Sequence, residues 1–279
     1  MLACPNCLAK LQMPRPQDVE LICWSCKSTW AKIHGVWDFR LNETNKSLAI
    51  FQETEYLRWL DIFGKQEISS WKIYATKLNR FFSQAGHRIL ARKLNLDVDE
   101  LQWVVEVGAG DGLLYQYAPR KKYIGIDTNW DALSKFAKKT PNATLICTNG
   151  GYLPVASGSI DVLVSLHTLE HIYYLGEFME EVTRVLKYGG KQYFVIPSEG
   201  SLLFYLGRKF VTGPHARKKY NLDANYIMDR EHINDAKRVL KFLRLYFPNV
   251  EKNFWPFPFF RFINTNVMIW GSCSKVAKT

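Results

Sequence analysis

The ten residues from Trp103 to Gly112, WVVEVGAGDG, constrain this chain more than any other stretch. Val104, Val105 and Val107 are β-branched and suit a buried strand. Gly108, Gly110 and Gly112 then alternate with Ala109 and Asp111. Such a run permits a tight turn in which backbone N–H groups come close to a ligand. Taken alone, it marks either an ordinary turn or a nucleotide-type site. The residues that follow decide between the two.

After the glycines the chain alternates between strand and helix patterns. Strands are expected at about 101–107, 123–126, 143–147, 160–166 and 192–196, with helices at about 113–117, 130–139 and 176–186. Asp131 near the start of the second helix and Lys135, Lys138 and Lys139 near its end suit the helix dipole. Gly189-Gly190 is expected to stop the third helix. This alternation predicts an α/β chain with a parallel, doubly wound sheet, whose ligand sits beyond the carboxyl ends of the strands. Asp127 falls at such an end, 17 residues after Gly110. A carboxylate there can accept hydrogen bonds from the two hydroxyls of a ribose; the plainer reading is a turn former.

The N-terminal forty residues carry a second signal. Cys4, Cys7, Cys23 and Cys26 are spaced C-x2-C-x15-C-x2-C. Two such pairs at hairpin tips complete a tetrahedron of thiolates, so one structural zinc is expected, with no open position for catalysis. A segment this short cannot bury enough core alone, and the metal would supply most of its folding energy. The alternatives are disulfides or free cysteines. The opening MLACPNCLAK has no charged stretch followed by an apolar one, so no export signal is read, disulfides are disfavoured and the cytoplasm is the expected location.

The rest of the chain is less explicit. With 47% apolar residues a sizeable core is available, and no run approaches the ~18 apolar residues of a membrane span. Asn42, Glu43, Asn45, Lys46 and Ser47 read as a linker. Helices are expected from Phe51 to Phe63 and again between Trp71 and Leu96, where they could cover a ligand of the first strand. The organisation expected is a ribbon at 1–40, a linker with helices at 41–98, and an α/β domain at 99–279 with an insertion at about 198–232. Residues 201–279 hold fourteen Lys and Arg against five Asp and Glu, and so carry nearly all of the net charge of +11. This basic third is either a solvated face or a surface for nucleic acid, anionic lipid or an acidic substrate. Leu202–Lys219 mixes apolar and basic residues, which fits a pocket lid with its apolar side inward or, as the alternative, a peripheral membrane segment.

Two resemblances sharpen these readings. EVGAGDG, GIDTN, NGGYLP, SIDVLVSLHTLEHI and EVTRVLKYGGKQYFVIP resemble, in order and spacing, the class I S-adenosylmethionine-dependent methyltransferases. The third glycine comes too early for the G-x-G-x-x-G of a dinucleotide enzyme. The family implies a Rossmann-like seven-stranded sheet closed by an antiparallel hairpin, here with a strand near 266–270, and S-adenosyl-L-methionine as cofactor. It implies that Glu106, Gly108, Ala109 and Gly110 wrap the methionine part, that Asp127 takes the ribose hydroxyls, that Thr128 is a further cofactor-binding residue, that Asn149 and Gly150 sit where the adenine is held, and that His167 lies where the chain passes the sulfonium. Many members have Asp where this chain has Asn149. The first forty residues, with CP-x-C, C-x2-C and HGVWDF, resemble the zinc ribbon of methyltransferase-activator proteins of the translation machinery, also found fused ahead of bacterial methyltransferases.

Methyl transfer from a sulfonium is an in-line displacement for which the protein supplies mainly alignment and exclusion of water. A hydroxyl acceptor also needs a base, and His171 and His232 are the candidates. The expected acceptor is a small molecule, a sugar or a carrier-linked intermediate, methylated on O or N. An RNA methyltransferase using the ribbon and the basic third is the alternative, and a non-catalytic cofactor-binding regulator is a further one. No Asn-Pro-Pro-Tyr-type signature, which marks many methylators of planar base nitrogens, follows strand four, where Leu166-His167-Thr168-Leu169 stands.

Overall fold

A computed structural model describes residues 1–41, 77–148, 152–260 and 262–276. The expected linker, the helix at 51–63, Asn149 and Gly150 lie outside the described residues. The elements in chain order are β1 (Glu20–Ile22), β2 (Thr29–Ile33), β3 (Val36–Asp38), α1 (Lys77–Asp97), β4 (Val104–Val107), α2 (Leu113–Tyr117), β5 (Tyr123–Asp127), α3 (Trp130–Lys139), β6 (Thr144–Cys147) and β7 (Ile160–Leu166). They continue with α4 (Leu175–Val185), β8 (Leu186–Pro197), α5 (Leu202–Gly207), α6 (Gly213–Tyr220), α7 (Ala224–Glu231), α8 (Ala236–Tyr246), β9 (Val250–Trp255) and β10 (Met268–Ser274).

The strands form one sheet in the order β1-β2-β3-β6-β5-β4-β7-β8-β10-β9. The run from β6 to β8 is parallel, and β10 is antiparallel to both β8 and β9. The seven strands from β4 to β10 are thus the doubly wound sheet expected, closed by its antiparallel hairpin. Three further strands extend it. β3 lies parallel against β6, with Trp37 opposite Ile146 and Phe39 N–H donating to Cys147 O at 2.9 Å. The ribbon therefore continues the sheet rather than merely preceding it.

Side-chain alternation explains the seam. Successive strand residues point to opposite faces. Trp37 joins the core on one face, with Val105, Val107, Ile146 and the apolar sides of α4 and α8. Val36 joins the other, with Val104, Leu145 and α1 to α3. Leu2, Leu11, Leu21, Trp30 and Phe39 belong to the first core, so the ribbon has no separate one.

The element boundaries follow local chemistry. Asn129 caps α3 by accepting the Ala132 N–H at 3.0 Å, and Asp235 caps α8 by accepting that of Arg238 at 2.7 Å. Gly189-Gly190 does not stop a helix. α4 ends at Val185 and β8 begins at once, because these glycines sit at an irregularity between β7 and β8. A Cβ on Gly190 would lie 2.9 Å from Lys187 O and 3.1 Å from Asp161 O, an approach only glycine permits.

The insertion after β8 is helical. Between α5 and α6 the backbone makes a wider π-helical turn, Arg208–Thr212, without leaving the helical region. Pro214, in the first turn of α6, has no N–H to donate back, and a Cβ on Gly213 would lie 2.8 Å from Arg208 O. The first part of this insertion turns much of its apolar surface outward, against the expectation of a lid, while Ala216, Leu222, Ala224 and Ile227 further on are buried. α5 has no buried residue, and Leu202, Tyr205 and Phe210 are each more than half exposed. Phe257, Phe259, Phe260 and Phe262 stand exposed on a neighbouring loop. Buried Asn266 holds that loop, donating to Phe260 O and Phe262 O and accepting from Phe257 N–H, and Ser201 Oγ donates to Asn266 O. Among the described residues no helix is long and apolar enough to cross a membrane.

Candidate functional site

From β4 the chain proceeds outward through β5 and β6, then returns to β7 on the other side of β4. That reversal opens a crevice at the carboxyl ends of β4 and β7, where ligands of such sheets bind. The glycine turn leaves β4 there, and His167 to His171 leave β7.

Gly108, Gly110 and Gly112 all have positive φ, at +78°, +51° and +80°. A Cβ on Gly108 would collide with Thr168 Oγ1, and one on Gly112 would lie 2.5 Å from the Phe136 ring. One on Gly110 would meet nothing within 4 Å, so the middle of the turn faces open space. The turn is thus clamped at both ends and open at its centre. Asp127 braces it. Its Oδ2 accepts Gly110 N–H at 2.7 Å and its Oδ1 accepts Asn129 N–H at 2.8 Å. Burial pushes the Asp127 carboxyl above its ordinary range, and these N–H groups oppose that shift. Thr128 N–H adds a third such interaction, and a carboxylate offers about four acceptor positions, so room remains for a ligand's hydroxyl. Thr128 is exposed beside it.

Glu106 is buried at the end of β4 and accepts the hydroxyl of Tyr123. Tyr123 is fixed by edge contacts with Tyr115 and Phe136. Burial pushes the Glu106 carboxyl up to about 8. A carboxyl raised on folding costs stability once the unfolded chain ionises, so the loss develops as pH rises from 4.5 towards 8. Glu106→Gln is therefore expected to raise the melting temperature of the ligand-free protein by a few degrees at pH 8 and to change it little at pH 4.5. Thermal denaturation at the two pH values checks this; equal shifts at both would refute the burial argument.

On the β7 side, His167 has a φ of +50° and packs against Gly86 of α1, where a Cβ would lie 3.3 Å from its Nε2. Its Nδ1 is 3.7 Å from Oε1 of buried Glu170. His171 and His232, far apart in sequence, meet with ring centroids 4.6 Å apart and planes at 88°. Asn234 makes the meeting possible. Its side chain donates to Leu169 O at 3.0 Å and Ile172 O at 2.7 Å, and its N–H donates to Glu170 O at 3.0 Å. His232 Nδ1 lies 2.5 Å from Glu199 Oε2, and Arg208 reaches Glu199 Oε1 at 3.4 Å. Burial disfavours protonated His232, but Glu199 outweighs it and raises the imidazole. Burial would raise Glu170 likewise, yet His167, His171 and His232 hold it below the ordinary carboxylate range.

Of the residues expected from sequence, Glu106, the glycines and Asp127 lie at the ends of β4 and β5, His167 and His171 follow β7, and His232 follows α7 and meets His171. Tyr123, Thr168, Glu199, Arg208 and Asn234 contact these residues or their neighbours and are not singled out by the sequence. Glu199, just past Pro197 at the end of β8, carried the one usable signal, its place at a strand's carboxyl end.

At the other end of the chain the four cysteines converge. Cys4 and Cys26 Sγ are 3.6 Å apart, as are Cys7 and Cys23, and all four sulfurs lie within 4.8 Å of one another. None is in a disulfide. Tetrahedral zinc with Zn–S bonds of about 2.3 Å would set sulfurs about 3.8 Å apart, so this donor set fits the metal. The knuckles match each other. Leu8 and Lys27, which follow each pair, have φ of +59° and +63° and donate N–H to Cys4 O and Cys23 O.

The sheet order, with the glycine turn and Asp127 at its reversal, is that of the Rossmann-like methyltransferase fold. More particularly, residues 105–194 match the methyltransferase domain family. An uncharacterized protein of Methanocaldococcus jannaschii is 27% identical over 146 residues, which cover 51% of this chain and 62% of that protein. A probable S-adenosylmethionine-dependent methyltransferase of Mycolicibacterium smegmatis is 27% identical over 122 residues, covering 42% of this chain and 46% of its own. The chain spans about half the length of the curated relatives it matches. A SAM-dependent methyltransferase of Thermotoga maritima superposes with a TM-score of 0.50 at 15% identity, covering 74% of this chain and 99% of its own. Phosphoethanolamine N-methyltransferase 2 of Haemonchus contortus superposes with a TM-score of 0.51 at 13% identity, covering 68% of this chain and 52% of its own. At such identities the superpositions speak for the fold.

Proposed function

We propose that this protein transfers a methyl group from S-adenosyl-L-methionine to a small-molecule or carrier-linked acceptor, and that Cys4, Cys7, Cys23 and Cys26 hold one structural zinc. The observation that carries the reading is the open centre of the glycine turn beside the braced carboxylate of Asp127. Gly108, Ala109 and Gly110 lend backbone to the methionine part, and Asp127 accepts from the ribose hydroxyls. Asn149 and Gly150 are assigned to the adenine from sequence alone. The cofactor supplies an activated methyl; the chain aligns acceptor and sulfonium and excludes water. His167, Glu170, His171 and His232 face the acceptor, and the ring nitrogens of His171 and His232 not engaged by Glu231 O and Glu199 are suited to take an acceptor's proton.

Exposed Tyr205 and Phe210, each close to Lys209, and exposed Phe257, Phe259, Phe260 and Phe262 support an acceptor met at an apolar or lipid-carried surface. The test is label transfer. Full-length protein, methyl-labelled S-adenosylmethionine and extract of the producing organism are incubated, and the label is followed into lipid-phase, aqueous small-molecule and RNA fractions. Label in either of the first two is expected. Label confined to RNA would overturn the acceptor class, and no transfer to any fraction would overturn the reaction.

A further inference from the structure

Glu170, His171 and His232 converge although His232 is some sixty residues from the other two. One ligand atom from each lies within 4.8 Å of the others. The Nδ1 of His171 is engaged by Glu231 O at 2.8 Å and that of His232 by Glu199, which leaves both Nε2 atoms free to bind. A histidine held at one nitrogen by a carbonyl or carboxylate, with the other nitrogen free, is in the state of a metal-ligating histidine with its outer-shell partner. Glu170 is 2% exposed, and its Oε2 has no hydrogen-bond partner. A buried carboxylate oxygen without a partner is costly, and a cation relieves that cost.

We infer that Glu170, His171 and His232 form a site for a divalent first-row cation such as Zn2+, Fe2+, Mn2+ or Co2+. Two imidazoles and one carboxylate suit this class, and Mg2+ and Ca2+, which prefer all-oxygen shells, fit it less well. With ligand bonds of about 2.1 Å, the three atoms draw in by about 1 Å, within reach of side-chain rotation. The site differs from the cysteine cluster in a decisive way. Three protein ligands leave coordination positions open, whereas four thiolates leave none. An open position beside the methyl-transfer crevice would receive an oxygen of the acceptor; this last step rests on the methyltransferase reading, whereas cation binding does not. Binding occupies the Nε2 lone pairs, so the two histidines can take an acceptor's proton only while the cation is absent.

Cobalt tests the site without reference to activity. Full-length protein carrying one zinc on its cysteines is titrated with Co2+, while absorbance and elemental composition are followed. One equivalent of Co2+ is expected to bind with zinc retained, giving visible d–d bands without the near-ultraviolet band of a cobalt thiolate. His232→Ala and Glu170→Gln are each expected to lose that equivalent while keeping their zinc and far-ultraviolet circular dichroism. Glu199→Gln, which removes the charge facing both His232 and Arg208 but none of the three ligands, should weaken binding by about 10- to 100-fold. Failure of the wild type to bind Co2+, a spectrum with only the thiolate band, or binding unchanged in the folded variants would each overturn the site. S-adenosylmethionine calorimetry on the same sample keeps this outcome separate from failure of the methyltransferase reading.

Discussion

Removing the zinc proposed for the cysteine cluster is expected to unfold much more than the first forty residues. β3 is an interior strand of the sheet, and Trp37 and Phe39, both fully buried, stand in the core that also holds Val105, Val107 and Ile146. Two aromatic side chains of this size bury on the order of 350 Å2, worth up to roughly 8 kcal/mol at 25 cal/mol per Å2. That is comparable to the whole stability of an ordinary domain, about 5–15 kcal/mol. Structural zinc contributes about 10–16 kcal/mol in small cysteine-rich modules, so its loss is enough to free the ribbon. The bare edge of β6 then becomes a template for aggregation. A strong chelator should therefore lower the melting temperature of the entire chain by more than ten degrees or precipitate it. Hydrogen exchange should rise at Thr144–Cys147, although no cysteine ligand lies there. Exchange at β6 unchanged after zinc is removed would contradict the seam, and it can be read on wild-type protein even if Cys23→Ser fails to fold.

Asp127→Ala is expected to reduce S-adenosylmethionine affinity by at least a hundredfold. Hydrogen bonds to a charged acceptor contribute about 1.5–3 kcal/mol each, and the ribose hydroxyls would lose theirs. The same change leaves Gly110 N–H and Asn129 N–H without their acceptor, so the glycine turn loses its brace as well as its ribose contact. Asp127→Asn separates the two effects, since it keeps one acceptor oxygen near the turn and should bind more tightly than the alanine variant. Calorimetry on samples of matched circular dichroism is the measurement. Unchanged affinity in Asp127→Ala would remove the cofactor assignment.

What could be read from the sequence was local in character. The glycine turn, the strand ending at Asp127, α3 with its polar start and basic end, and the paired cysteines each declare themselves within a few residues, because dihedral demands, side-chain period and ligand spacing are short-range. The pairing of β3 with β6 joins residues more than a hundred positions apart, and nothing in VWD distinguishes a ribbon's last strand from a sheet's inner one. His232 could be named from sequence, but not its setting. Glu199, Asn234 and Arg208 approach it only because β8, α5 and α7 are folded together. The outward turn of Leu202, Tyr205 and Phe210 runs against the expectation of a lid, since amphipathic composition gives no direction without knowing what lies on either side.

The wide turn at Arg208–Thr212 also sets a phase. An α-helix advances about 100° per residue, so accommodating one extra residue rotates everything beyond it by that angle relative to what precedes it. α5 on one side of the turn has no buried residue, whereas Ala216 on the other is fully buried. The Gly213-Pro214 pair therefore works as a rotational offset. It lets a single length of helix present its apolar residues outward in one half and seat itself against the protein in the next, with Arg208 at the joint aimed at Glu199 and Asp229.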